Sequence, residues 1–162
     1  VDICGQGWER VFSGASSVNL DSKGRIAMPT RYRELLRVES EGKFVITVDI
    51  QSTCLLLYPI HEWHKIEAKL LLLSDTQQTE RALKRLLLGH AHECEMDGNG
   101  RLLLPQTLRK YAGLEKHAML VGQLNKFELW DESAWQQLID ESKQAITNEN
   151  LASSERLSDF SL

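Results

Sequence analysis

No stretch of this 162-residue sequence is long and apolar enough to span a membrane; its longest apolar runs, "LLLYPI" and "KLLLLS", fall far short of the roughly 20 residues required. The opening "VDICGQGWER" has none of the basic, apolar and small-residue zones of a secretory signal. Cysteine is scarce: Cys4, Cys54 and Cys94 are odd in number and widely spaced, which suits reduced thiols and not a disulfide framework. No nucleophile stands beside a base and an orienting group. These absences lead to the expectation of a cytosolic protein without catalytic function. Strong positive charge is absent too. The formal net charge is −4, which at first argues against a polyanionic partner.

The distribution of charge changes that reading. Residues 128–162 carry eight acids and two bases, so an acidic tail hides a weakly basic body. A local basic patch counts for more than the total in binding nucleic acid.

What the sequence does have is an internal repeat. At an offset of 76, Leu20, Asp21, Gly24, Arg25, Ile26, Met28, Pro29 and Arg33 match Met96, Asp97, Gly100, Arg101, Leu102, Leu104, Pro105 and Arg109. Further on the offset is 72, where "LLLYPIHEW" from Leu55 lies over "FELWDESAW" from Phe127. The four missing residues are assigned to the loops "RVESEGK" and "GLEKH", where length changes are cheap. Two such matches in register indicate a duplicated unit.

Each unit predicts the same order of elements. An alternating strand runs into Asp-x-x-Gly, which favours a tight type I turn shaped by Asp21 and Gly24, or by Asp97 and Gly100. A short strand follows ("RIAM" or "RLLL"), then a proline at the start of a helix. The helices are "TRYRELLR" and "QTLRKYA", the second closed by Gly113. Two more strands and a helix from near Glu62 or Glu132 complete the unit. Between the units, "TQQTERALKRLLLGH" has its leucines at helical spacing and predicts a linking helix. A unit this small cannot close a core alone. The expected architecture is therefore mainly β with short helices, two units packed as a barrel about a pseudo-two-fold axis. The expected boundaries are an extension over 1–11, a first unit over 12–73, the linking helix over 74–90, a second unit over 91–140 and a loosely held acidic tail over 141–162.

A tight turn presents whatever follows it, so Arg25 and Arg101 should project from equivalent places. Arg33 and Arg109 follow eight residues later, in the helices; Lys23 lies within the first turn and Lys110 follows Arg109. Guanidinium groups suit phosphate and guanine edges, and a symmetric pair of basic clusters suits a double helix. The same arginines could instead form ion pairs with Asp21, Glu34 and Asp97 and serve a protein-interaction scaffold. A third reading is a metal protein or barrel enzyme using His90, His92 and Cys94, which alternate along one predicted strand; a fourth ligand is not evident, and no metal or cofactor is expected. The leucine runs at 70–73 and 86–88 are assigned to core or to a subunit interface.

"VNLDSKGRIAMPTRYRE" and "GHAHECEMDGNGRLLLPQTLRKYAGL" resemble the two half-motifs of the MraZ family, and "KFELWDESAW" fits the same pattern. The resemblance covers nearly all of residues 12–162. It implies two SpoVT/AbrB-like swapped-hairpin units, with DNA contacted by Arg25 and Arg33 in the first and by Arg101, Arg109 and Lys110 in the second. The first unit has Glu34 where the second has Lys110, and Arg31 is the candidate to compensate. The resemblance further implies a nucleoid-associated transcription factor. Such a protein would form a homo-oligomeric ring and bind tandem repeats in the promoter of its own division and cell-wall gene cluster. Chains of that family open near "VFSGA", which marks residues 1–10, with Cys4 and Trp8, as an extension without assigned role.

Overall fold

All three prolines of the chain stand directly before a helix. Pro29, Pro59 and Pro105 have φ of −52°, −53° and −59° with extended ψ, so each acts as the cap from which the helix departs. The structure, a computed structural model, describes residues 11–162; Cys4, Trp8 and all but the last residue of the predicted 1–11 extension lie outside the described residues.

From Val11 to Asp131 the chain forms one compact unit. Its first half runs β1 (Ala15–Asn19), β2 (Arg25–Ala27), α1 (Thr30–Ser40), β3 (Lys43–Val48), β4 (Leu55–Pro59) and α2 (Ile60–Leu71). Next comes α3 (Gln78–Gly89), within the stretch read as a linking helix. The second half repeats the order with β5 (His92–Glu95), β6 (Arg101–Leu103), α4 (Gln106–Tyr111), β7 (His117–Gly122) and β8 (Phe127–Asp131). The remaining residues, Glu132–Leu162, form a separate unit with α5 (Glu132–Ala145) and a short α6 (Asn148–Ser153) capped by the Thr147 hydroxyl, which accepts from Asn150 N at 3.1 Å.

The halves of the first unit exchange strands. The main sheet is antiparallel in the order β1-β7-β8-β4-β3-β5, so β1 pairs with the second half and β5 with the first. At its centre Leu56 faces Glu128, which are equivalent residues at the offset of 72. A separate two-stranded ribbon joins β2 to β6, and there Ile26 faces Leu102, equivalent at the offset of 76. One pseudo-two-fold relation therefore passes through both ladders. The register also locates the length difference. Phe44↔Pro59 in the first hairpin corresponds to Ala118↔Asp131 in the second, an offset of 74 for β7. Two residues are thus lost before β7 and two in the β7–β8 turn, and not all four in the loop after the helix.

The predicted mainly-β barrel is not what forms. The fold is a mixed α/β arrangement with open sheets, and the described helices span more residues than the strands. The turns at Asp21 and Asp97 carry β2 and β6 out of the main sheet into their own three-pair ladder, which leaves β1 and β5 as free edges. A sheet without closure needs another layer to cover it, and α1 to α4 all contact β3. The C-terminal end of α3 is tied down by Thr47, whose hydroxyl donates to Leu87 O at 2.7 Å.

A single core serves both halves. Ile26, Met28, Leu36, Phe44, Ile46, Leu55 and Leu57 from one half join Leu102, Leu104, Leu120, Phe127 and Leu129 from the other. Ile26 and Leu102 are fully buried on the inner face of the ribbon. Leu102→Ala should therefore cost about 2–5 kcal/mol in chemical denaturation, lost in one transition for the whole unit.

Candidate nucleic-acid interface

Asp at the first position of each turn has more to do than start it. Asp21 Oδ1 accepts from the backbone N–H of Lys23 and of Arg25, both at 2.9 Å, and Oδ2 accepts from Arg25 Nε at 2.7 Å. The main chain closes the same loop, Gly24 N donating to Asp21 O and Asp21 N to Arg25 O, each at 3.0 Å. The second turn repeats this with Asn99 N at 2.8 Å, Arg101 N at 3.0 Å and Arg101 Nε at 3.3 Å from the Asp97 carboxylate. Each carboxylate thus shapes its turn and orients its arginine at once. The backbone N–H of Arg25 leads in holding the Asp21 carboxyl down to about 2, and that of Arg101 lowers Asp97 in the same way. In both pairs the carboxylate engages Nε, and the terminal guanidinium nitrogens make no hydrogen bond among the described residues. Those two nitrogens are the ones that recognise a phosphate or a guanine edge bidentately.

The ribbon brings the two turn arginines together. Arg25 lies opposite Leu103 and Arg101 opposite Ala27, so the arginines are diagonal neighbours, about 7–8 Å apart along the ladder. Because Ile26 and Leu102 point inward, Arg25, Ala27, Arg101 and Leu103 share the outward face.

The helix arginines join from the opposite half. A Cβ built on Gly24 would lie 2.6 Å from Arg109 Cζ, and one on Gly100 would lie 2.5 Å from Arg33 Cδ. Each helix arginine therefore lies across the glycine of the other unit's turn. Its own Nε donates to the backbone, Arg33 to Met28 O at 2.7 Å and Arg109 to Leu104 O at 3.1 Å. Both glycines also have positive φ, 82° and 74°, so the position excludes a side chain twice over. The clusters foreseen within each unit are in fact composite: Lys23 and Arg25 with Arg109, and Arg101 with Arg33.

Lys23 and Lys110 are exposed, at the first turn and on α4. Arg31 is engaged elsewhere. It donates to Ser16 Oγ at 3.2 Å and Ser13 O at 3.4 Å and lies over the Tyr32 ring, beside β1 and not over either glycine turn. Arg37 was not foreseen, yet its Nη2 donates to Asp97 O at 3.1 Å and Gly98 O at 3.4 Å, fastening α1 to the second turn. Its spacing of four from Arg33 puts both on one helix face and was the available signal. The metal reading fails on geometry. His90 is the C-cap of α3, with Nδ1 2.7 Å from Leu86 O, and only His92 and Cys94 belong to β5. Among the described residues no three His, Cys, Asp or Glu side chains could hold a metal ion together. Burial pushes the Cys94 thiol up to about 12.

Two measurements check this geometry. Gly24→Ala and Gly100→Ala should each lower stability by about 1–3 kcal/mol, while Gly98→Ala, where a Cβ meets nothing within 4 Å, should be near neutral. A carboxyl NMR titration should give Asp21 a midpoint near 2 instead of 3.8. Because the folded value is the lower one, its stabilisation is present above the unfolded value and is lost as pH falls toward 2; a midpoint at or above 3.8 contradicts the turn as described.

The family model described as "MraZ protein, putative antitoxin-like" matches the chain twice, over residues 11–86 and 87–157. Three Shewanella proteins, each named Transcriptional regulator MraZ, align over 152 residues, 94% of this chain and all of their own length. Those of Shewanella violacea, Shewanella halifaxensis and Shewanella pealeana are 73%, 71% and 70% identical to it. With both halves matched and seven residues in ten shared over nearly its whole length, this chain belongs to the MraZ family.

Proposed function

We infer that the protein is a DNA-binding transcriptional regulator and that the β2–β6 ribbon is its DNA-reading edge. The observation that carries this is the juxtaposition of Arg25 and Arg101 on one outward face, with Arg33 and Arg109 laid across the turns beside them. A two-stranded ribbon fits the major groove of B-DNA, and arginine is the side chain that pairs best with guanine edges there. Lys23 and Lys110 add phosphate contacts at the rim, and Asp21, Gly24, Asp97 and Gly100 hold the turns. The names of the relatives support a regulatory role in place of catalysis.

The finer reading is binding to tandem repeats in the promoter of the protein's own division and cell-wall gene cluster, in the cytoplasm and on the nucleoid. A homo-oligomeric ring would present several such edges to successive repeats, and linked binding multiplies modest affinities. Assembly is supported by Leu71 and Leu72, 80% and 86% exposed at the end of α2, with Leu88 of α3 also exposed. Such assembly also reconciles a net charge of −4 with a grip on DNA, because each ribbon contributes its own local arginine pair.

Gel-shift titration with the upstream DNA at several salt concentrations tests the reading. Binding should weaken with a log–log slope of about −0.9 per phosphate contacted. Arg25→Ala and Arg101→Ala should each lose roughly tenfold or more in affinity. An unshifted probe, together with oligomer loss in the same variants, would favour the scaffold reading instead; wild-type binding by Arg25→Ala would remove the ribbon from the interface.

A further inference from the structure

The pseudo-symmetry of the ribbon is broken at one position on its outward face. The arginines correspond, Arg25 to Arg101, but Ala27 of the first half corresponds to Leu103 of the second. Leu103 is 54% exposed, lies directly opposite Arg25 in the ladder and has no part in the core, which Ile26 and Leu102 fill from the other face. A single exposed leucine on a protein surface is unremarkable by itself. This one stands on the outward face of a two-stranded ribbon, opposite Arg25 and two residues along the strand from Arg101, and the terminal nitrogens of both arginines are uncommitted among the described residues.

Resting on the reading of this ribbon as the DNA-binding edge, we propose that Leu103 is a specificity-determining residue that contacts the C5-methyl group of a thymine in the major groove. That methyl is the one apolar feature the base edges present there, and charge complementarity between the flanking guanidinium groups and DNA brings the leucine to it. Ala27, shorter by three carbon atoms, leaves the related half without an equivalent reach. The edge therefore has a direction: its two arginines read pseudo-symmetrically, while the leucine reads on one side only. The recognised unit is then not a palindrome, and the protein docks on it in one orientation.

The test uses the full chain and upstream promoter probes in which each thymine in turn is replaced by deoxyuridine, which removes only the methyl group. Wild-type protein should bind about fourfold more weakly when a methyl is lost on one side of the site. Leu103→Ala should bind that deoxyuridine probe and the parent equally well, with its salt slope unchanged, and Leu103→Met should retain discrimination. Indifference of the wild type to every methyl overturns the proposal, as does full discrimination by Leu103→Ala. Loss of oligomers in Leu103→Ala with discrimination intact would assign the residue to assembly and overturn it as well. Binding without methyl discrimination leaves the DNA-binding reading standing, whereas failure of the intact protein to shift any DNA defeats both.

Discussion

Three residue pairs, Arg25 to Leu103, Ile26 to Leu102 and Ala27 to Arg101, hold the outward face of this protein together. The ladder is short because each strand leaves a tight turn and meets a proline within a few residues, at Pro29 and Pro105. Its inner face supplies two fully buried side chains to the core, and its outer face carries two arginines. Neither half can make this ladder alone, since each contributes one strand. Met28 N extends it by donating to Gly100 O and Leu104 N to Gly24 O, at 2.8 and 3.0 Å. Folding of the core and construction of the arginine-bearing face are therefore one event.

The turns show the same economy. One aspartate in each accepts two backbone N–H groups and one guanidinium N–H, so turn geometry and arginine orientation share a single carboxylate. These ion pairs are half-buried at the surface, where such pairs contribute little to stability. They fix Nε and leave the outer nitrogens of each guanidinium uncommitted among the described residues. The glycines serve the other helix. Any side chain at Gly24 or Gly100 would displace the arginine that crosses over it.

Much of this was legible in the sequence. The duplicated Asp-x-x-Gly-Arg, the helix-starting prolines, the Gly113 helix stop and the arginines at 25, 33, 101 and 109 all follow from local chemistry, which acts over a few residues. Partnership across the two halves was not legible. That Arg109 belongs with Gly24, and Arg33 with Gly100, depends on strands separated by 76 positions exchanging places. The barrel expectation failed for a related reason. Closure depends on whether the edges of a sheet meet, and here β2 and β6 pair with each other and leave β1 and β5 open. The leucine run at 70–73, assigned from the sequence to core or to a subunit interface, divides by position: Leu70 is buried, while Leu71 and Leu72 are exposed.

By itself the sequence determined that the protein is a tandem duplication with an arginine after each glycine turn, because repeat spacing and turn chemistry are properties of the chain. Family membership is likewise read from the chain, over residues 11–86 and 87–157. The tertiary structure alone decided that the two arginines become diagonal neighbours on one ribbon, that each is flanked by the helix arginine of the other half, and that Leu103 stands exposed beside Arg25. Those facts depend on strand exchange and register. A one-residue slip of either strand would turn its own Ile26 or Leu102 outward and its own arginine toward the core.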